Sequence, residues 1–379
     1  MVKNYSIAIV RTPHIQIYEG LTELLGLVAR MSDHLDIIST VSGSESEPLW
    51  KPSKVNYFFV EPKNTKLVIP TTIKLALCAI TKSFKYKPYL VIGGDAIGNI
   101  IAAFIHKLLG IPFVYYGLEL PCLKQPNMSW ADKLEHWSIR SADLVVTMDE
   151  HHANFIRTQA GINKNRFAYL PVASSGPLNN RKNNLLRKRF SLQENDLLLL
   201  HAGGIGAAQQ SLELANTAKE WAKHYNLVFH AHCRMDDDYF QKFAHMLHKT
   251  KNVHLNNEPV NSEELDVLVS SADIGIAWYD HDLLGYRAEL LGVAAGKIGR
   301  YLKNGLPVIC RNLPTVKEYL DKYECGLCTD KLEDIPAAID IIENNYERYS
   351  KNALRCYEEL WRPDRYLIEI QRRIENILN

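Results

Sequence analysis

Apolar residues come along this chain in two rhythms. Short, nearly continuous runs rich in β-branched and aromatic residues occur at Ser6–Val10, Leu35–Thr40, Val55–Val60, Tyr89–Ile92, Phe113–Tyr116, Leu144–Thr147 and Phe167–Leu170. Between them lie helix-length amphipathic stretches, an alternation that predicts parallel strands joined by crossover helices. The pattern pauses over 174–194, where glycine/proline and asparagine clusters flank the basic stretch "RKNNLLRKRF". It then starts afresh with Leu197–His201, Leu227–His230, Asn252–Leu255, Ile274–Trp278 and Pro307–Ile309. The chain therefore reads as two doubly wound α/β domains, 1–173 and 195–351, joined by a linker at 174–194 that closes in part into a short helix. A helical tail, 352–379, follows and is broken at Pro363. Its apolar stripe at Tyr366, Ile368, Ile370, Ile374 and Ile377/Leu378 predicts a helix that covers an exposed flank or crosses back onto the first domain.

Length agrees with two domains, since 379 residues exceed one ordinary core. With 46% hydrophobic and 23% charged residues the composition is globular. A net charge of +1 argues against a dedicated nucleic-acid binder. No N-terminal stretch reads as a signal peptide, and no apolar run reaches the roughly 20 residues needed to span a bilayer. Seven cysteines are scattered along the chain, and only Cys325 and Cys328 stand close together, in "CGLC", where a short strand should end. A lone pair of that kind without nearby histidines is a poor zinc signature. The reading is a protein of a reducing, cytoplasmic compartment.

In doubly wound sheets ligands bind outside the carboxyl ends of strands. Two such sheets with their strand ends facing would enclose a deep cleft, suited to holding two substrates away from water. Two segments of the second half carry chemistry there. In "HAGGIGAAQQSLELANTAKEW", after the strand "LLLL", Gly203, Gly204 and Gly206 allow a tight turn ahead of a helix, whose N-terminal N–H groups attract a phosphate. Such glycines also serve plain strand–helix packing, and both readings stay open. In "GVAAGKIGRYLKNGLPVIC", the small residues Ala294, Ala295 and Gly296 open a helix at Lys297 that runs to Lys303, with Gly305 as its cap. Lys297 adds a mobile positive charge to that helix start.

These segments, together with "ADIGIAWYD", resemble the C-terminal domain of family 4 glycosyltransferases of the GT-B fold, which consists of two Rossmann-like domains. "PYLVIGGDAIGNIIAAFIHKLLGIPFVYYGLEL" and "EHWSIRSADLVVTMDEHHANFI" resemble the same family's acceptor side. The resemblance covers about Tyr89 to Ile309. It implies transfer of a sugar from a nucleotide sugar to a glycan, lipid-linked saccharide or natural-product acceptor, with retained configuration and no metal or other cofactor. Gly203, Gly204 and Gly206 with Gly296 and Lys297 would hold the donor diphosphate, and Tyr301 fills the family's aromatic position. Two departures stand out. Arg300 and Gly292 occupy positions where the family has acidic residues, and Gln209 and Gln210 stand where a basic pair usually follows the glycine turn. The phosphate-neutralising charge would then come from Lys297, Arg300, Arg234 or Arg287.

On the acceptor side, Arg11 and His14, Asp95, Glu119, and the group Asp149, Glu150, His151 and His152 follow successive strands. Glu119 matches a recurrent family acid and is the first candidate to orient the acceptor or the transferred sugar, with Asp95 and His14 behind it. His152, early in a helix, reads as a surface residue. The acids of "MDDDYF" read as helix caps rather than metal ligands. Eight lysines (Lys51, Lys54, Lys63, Lys66, Lys74, Lys82, Lys85 and Lys87) surround the apolar stretch "LVIPTTIKLALCAI". They are solvated ends of a helix packed on its own sheet, or a face for peripheral contact with the inner membrane surface. Two other functions fit the pattern: a catalytically weak sugar-nucleotide-binding partner of another transferase, and a nucleotide-sugar epimerase of the same fold. A nicotinamide dehydrogenase fits less well, because no acidic residue ends the strand "LVFHAHC" to take a ribose hydroxyl.

Overall fold

Strands that are apolar on both faces can be buried only between two layers of helices, and parallel sheets are the structures that provide this. The computed structural model describes residues 4–11, 15, 18–40, 50, 52–60, 68–121, 128–179, 182–231, 237–247, 250–258, 260 and 262–379. The described strands of the first half are β1 (Tyr5–Val10), β2 (His34–Thr40), β3 (Val55–Val60), β4 (Leu90–Gly93), β5 (Phe113–Tyr116), β6 (Leu144–Thr147) and β7 (Phe167–Tyr169). They form one all-parallel sheet of order β3-β2-β1-β4-β5-β6-β7. Those of the second half are β8 (Leu197–Ala202), β9 (Tyr225–His230), β10 (Val253–Asn256), β11 (Ile274–Ala277), β12 (Val308–Arg311) and β13 (Gly326–Thr329). They form a second all-parallel sheet, β10-β9-β8-β11-β12-β13. Both sheets are doubly wound, with strand order reversing at β1/β4 and at β8/β11. The strand β13 is the one that "CGLC" marks; an added Cβ at Gly326 would lie 2.3 Å from the Val308 carbonyl oxygen, so this edge strand needs glycine.

The chain divides into two compact units, Met1–Ser175 with Pro363–Asn379, and Gly176–Arg362. Residues 176–194, expected as a linker, thus belong to the second unit. Lys182 reaches Asp273 at 2.7 Å, and the Asn183 amide donates to the Val267 carbonyl at 2.7 Å. The basic stretch folds as the short helix Leu185–Arg189. In the first unit, the Ser175 amide and hydroxyl both donate to the Glu23 carboxylate, at 2.7 and 2.8 Å, and close that unit's main segment.

The tail is the helix Pro363–Leu378, which packs on helix Glu19–Met31 and on β6 and β7 of the first unit. Its buried stripe is Pro363, Leu367, Ile370 and Ile374, at the spacing of one helix face. Ile368, expected in that stripe, is 74% exposed, because it falls on the opposite side. Ile374→Ala should loosen the first unit by about 2–5 kcal/mol, the range for truncating a fully buried isoleucine. Amide exchange should speed up in β6 and β7 and stay unchanged in β12 and β13; the reverse pattern would contradict this assignment of the tail.

Candidate functional site at the ends of β8 and β11

The second sheet reverses order between β8 and β11, so a ligand crevice opens at their carboxyl ends. The glycine turn leaves β8 at Gly203, whose φ of +140° favours glycine. Gly204 and Gly206 are different. Neither has a positive φ, and an added Cβ would meet only the Gln209 side chain, at 3.7 and 3.3 Å respectively. Contrast Gly98, where a Cβ would lie 2.0 Å from the Ile9 carbonyl oxygen, or Gly275, where it would lie 2.2 Å from the Tyr301 ring. Those two are packing glycines. Backbone shape and packing leave both unexplained; the Gly206 N–H donates to Ser211 Oγ at 3.2 Å, so Gly204 is the one of the two whose N–H a ligand could approach.

Gln210 follows at φ +46°, an uncommon conformation for a residue with a side chain. Its amide is held at both ends. Trp278 Nε1 donates to Gln210 Oε1 at 2.9 Å, and Gln210 Nε2 donates to Asp280 Oδ2 at 2.6 Å. The glutamine that replaces a basic residue of the family pattern therefore ties the turn after β8 to the segment after β11. Asp280 in turn accepts from the Asp282 and Leu283 amides, and the Leu283 bond is the main cause holding its carboxyl below the usual range.

Helix Gly296–Lys303 forms the third wall, with Ala295 before it providing no side-chain cap for the first N–H groups. Lys297 lies in its first turn. Its ammonium sits 4.9 Å from the centre of the Tyr279 ring and 3.3 Å from His201 Nε2. Among the described residues no carboxylate makes an ion pair with it, and burial pushes its pKa down to about 7. His201 Nε2 also lies 3.3 Å from the Gly204 carbonyl oxygen. That nitrogen can donate to Gly204 or accept from Lys297, not both, so the proton on Lys297 and the anchoring of the glycine turn are linked. His201 was missed in the sequence, where it is simply the last residue of an apolar run.

Arg300 and Tyr301 have other tasks than those expected. Arg300 is 5% exposed, and its guanidinium donates to Asp266 Oδ1 at 2.7 Å, while Lys303 donates to Asp266 Oδ2 at 2.8 Å. Asp266 lies on helix Ser262–Val269, so this buried triad fastens two helices; a compensating charge for a diphosphate does not follow from it. Tyr301 is fully buried. Its hydroxyl accepts from the Ala202 amide at 2.8 Å and donates to the Ile276 carbonyl at 3.2 Å. Gly292 has φ +42° and donates its N–H to Thr315 at 2.9 Å, a conformation that an acidic side chain there would strain.

In the first unit Asp95 caps helix Ala96–Leu109, accepting the Gly98 amide at 2.7 Å, and is 9% exposed. Glu119 is exposed, three residues beyond the end of β5. His14 and Arg234 lie outside the described residues, as do Lys51, Lys63, Lys66 and Asp236. Asp237 accepts from the Phe240 amide at 2.8 Å, in keeping with helix capping. His152 is 4% exposed, a correction to its reading as a surface residue. Both its amide and its Nδ1 bond Asp149 Oδ1 at 2.8 Å. Burial raises the Asp149 pKa, and these bonds and the imidazole charge outweigh that and leave it lowered.

Two doubly wound parallel sheets in one chain are the architecture of the GT-B fold. Solved structures agree with this fold. Sucrose-phosphate synthase from Thermosynechococcus elongatus superposes with a TM-score of 0.76 at 12% identity, covering 99% of each chain. Anabaena HepE in complex with UDP-glucose superposes with a TM-score of 0.71 at 13% identity, covering 98% of this chain and 99% of that one. WaaG, a glycosyltransferase involved in lipopolysaccharide biosynthesis, gives 0.67 at 13% identity over 97% and 98%. Residues 208–363 are similar to the family described as glucosyltransferase 3-like, C-terminal domain. The match includes Lys297, Arg300 and Tyr301 and begins just after the glycine turn. No curated protein matches the chain in sequence.

Gly204→Ala separates ligand access from packing. It should leave the unfolding free energy within about 0.5 kcal/mol of the parent, as for an uncrowded surface change. Nucleoside diphosphate affinity should fall by about tenfold, or ~1.4 kcal/mol. Calorimetric titration and thermal unfolding read the two effects; lost stability with unchanged affinity would make Gly204 a packing glycine.

Proposed function

We propose that this protein transfers a sugar from a nucleotide-sugar donor, held by the second unit, to a carbohydrate or lipid-linked acceptor. The observation that carries the proposal is the meeting of the Gly203–Gly206 turn, His201 and Lys297 at the ends of β8 and β11, in a domain similar to a glucosyltransferase-like family. HepE, similar in fold, has been solved with UDP and glucose and with UDP-glucose, which makes uridine nucleotides the first donors to try.

In glycosyl transfer the bond between anomeric carbon and diphosphate oxygen breaks through an oxocarbenium-like state, and negative charge gathers on the leaving group. The backbone N–H of Gly204, the start of helix Gly296–Lys303 and the Lys297 ammonium receive that charge. No divalent ion is needed for this, and resemblance to family 4 enzymes implies retained configuration. Glu119, exposed after β5, is the residue proposed to orient the acceptor or the sugar; Asp95 supports it as a helix cap. The cytoplasm, with peripheral contact at the inner membrane face, is where such an enzyme meets a lipid-linked acceptor.

The fold leaves an epimerase as a second reading, since a putative UDP-N-acetylglucosamine 2-epimerase from Listeria monocytogenes superposes with a TM-score of 0.63. Arg300 and Gly292, at positions the family fills with acids, motivate the catalytically weak partner as a third. Thermal unfolding against nucleoside diphosphates and nucleotide sugars, with and without magnesium or chelator, followed by turnover assays, distinguishes them. A donor at about 100 times its dissociation constant should stabilise by ~2.7 kcal/mol regardless of magnesium, and Lys297→Met should abolish most of that shift. Turnover that requires acceptor supports transfer. Sugar isomerisation without acceptor supports the epimerase, and a shift without any turnover across a broad acceptor screen supports the binding partner. Absence of any shift would overturn the donor site.

A further inference from the structure

Helix Val68–Tyr86 is apolar on two faces, and its sheet can cover only one of them. Thr71, Leu75, Ala79 and Ser83 form its buried row, at i, i+4, i+8 and i+12. On the other side Ile69, Ile73, Leu77 and Phe84 are 68%, 54%, 59% and 52% exposed. At about 100° per residue these four project within an arc of ~80°, turned away from the buried row. The neighbouring helix Ala96–Leu109 packs against it and exposes Phe104 and Leu108, 49% and 60%, with the Phe104 ring 4.8 Å from that of Trp137 on helix Trp130–Ser141. Scattered apolar side chains on a surface need no explanation, but four in one row of a single helix form a patch of the kind that marks an interaction site.

Charge identifies the occupant. Neither helix contains a single aspartate or glutamate in its 19 and 14 residues. Lys74, Lys85, Lys87 and Lys107 border the patch, the last three of them exposed. Lys82 is set apart, its ammonium bound to Asp36 at 2.8 Å. A second copy of this face would bring lysines against lysines with no carboxylate from either helix to neutralise them. An acid-free apolar stripe with a lysine border is instead complementary to an anionic bilayer surface: the apolar side chains enter the boundary between headgroups and acyl chains while the ammonium groups stay among the phosphates. Lysines solvated at the ends of a packed helix account for the buried row and leave the exposed row without a purpose.

We propose that the exposed face of helix Val68–Tyr86 docks the first unit on an anionic lipid bilayer. The inference deepens the proposed peripheral location and is independent of the transfer chemistry, because binding to bare vesicles is its readout. The full chain is sedimented with vesicles of phosphatidylcholine alone and of phosphatidylcholine mixed with phosphatidylglycerol, at low and high salt. The expected result is partition onto the anionic vesicles, weakening with salt. Ile73→Glu with Leu77→Glu should lower that partition by about tenfold or more. Lys85→Glu and Lys107→Glu should each lower it by about fivefold at low salt and much less at high salt. All four positions are exposed, and unchanged thermal unfolding verifies that the variants fold; Leu77→Gln serves if the double variant does not. No binding to anionic vesicles overturns the proposal, as does equal binding by the parent and the Ile73/Leu77 variant. A parent dimer in sedimentation velocity that Ile73→Glu dissociates, without vesicle binding, assigns the face to a second copy and also overturns it.

Discussion

The Tyr301 hydroxyl bridges the two strands between which the second sheet reverses its strand order. At such a reversal the chain leaves the adjoining strands toward opposite faces, and the backbone groups at their ends lose ladder partners. Tyr301 supplies both: it accepts the Ala202 N–H at the end of β8 and donates to the Ile276 carbonyl in β11. Its ring lies so close over Gly275 that no side chain could stand there. The helix that carries it is thereby fixed against the crevice. Lys297, four residues earlier on one side of that helix, is placed toward the glycine turn by the same contact.

Charge along this helix follows from the same placement. Arg300 and Lys303 share the one Asp266 carboxylate, so each of these buried cations has a carboxylate partner within the scaffold. Lys297 instead faces the His201 imidazole and an aromatic ring. A cation without a carboxylate, beside an uncapped helix start and the Gly204 N–H, is an arrangement that gains by taking up an anion. Turn, imidazole and ammonium act as one unit because His201 Nε2 touches both of the others.

Much of the fold was legible in the sequence because its cause is local. Phe113–Tyr116 and Leu144–Thr147 are strands over the residues read as apolar runs, and the helix carrying Lys297 was placed within one residue of its start. Lys297 and Gly204, singled out in the sequence, do stand at the ends of β8 and β11, which strand order and local pattern place there. The site was not legible where the deciding partner lies far along the chain. Arg300 looked like a candidate for the phosphates because Asp266, 34 residues away, cannot be paired with it from spacing. Tyr301 could be matched to an aromatic position without its bridge to Ala202, 99 residues away. His152 looked superficial because burial of one helix face depends on what packs there. The exposed row on helix Val68–Tyr86 was hidden by the same limit, since periodicity marks apolar faces and leaves open which one meets the sheet.

The central claim is that Lys297 receives the leaving diphosphate. Its depressed pKa of about 7 gives this a distinctive signature. A bound anion favours the charged ammonium and raises that pKa, so between pH 7 and the bound value the complex holds a proton that the free protein lacks. Calorimetric titration of a nucleoside diphosphate at about pH 8, in buffers of differing ionisation enthalpy, measures that proton directly. The account predicts proton uptake approaching one per site, affinity that falls as pH rises above 7, and loss of the uptake in Lys297→Met. Tight binding with no proton uptake, unchanged in Lys297→Met, would contradict it.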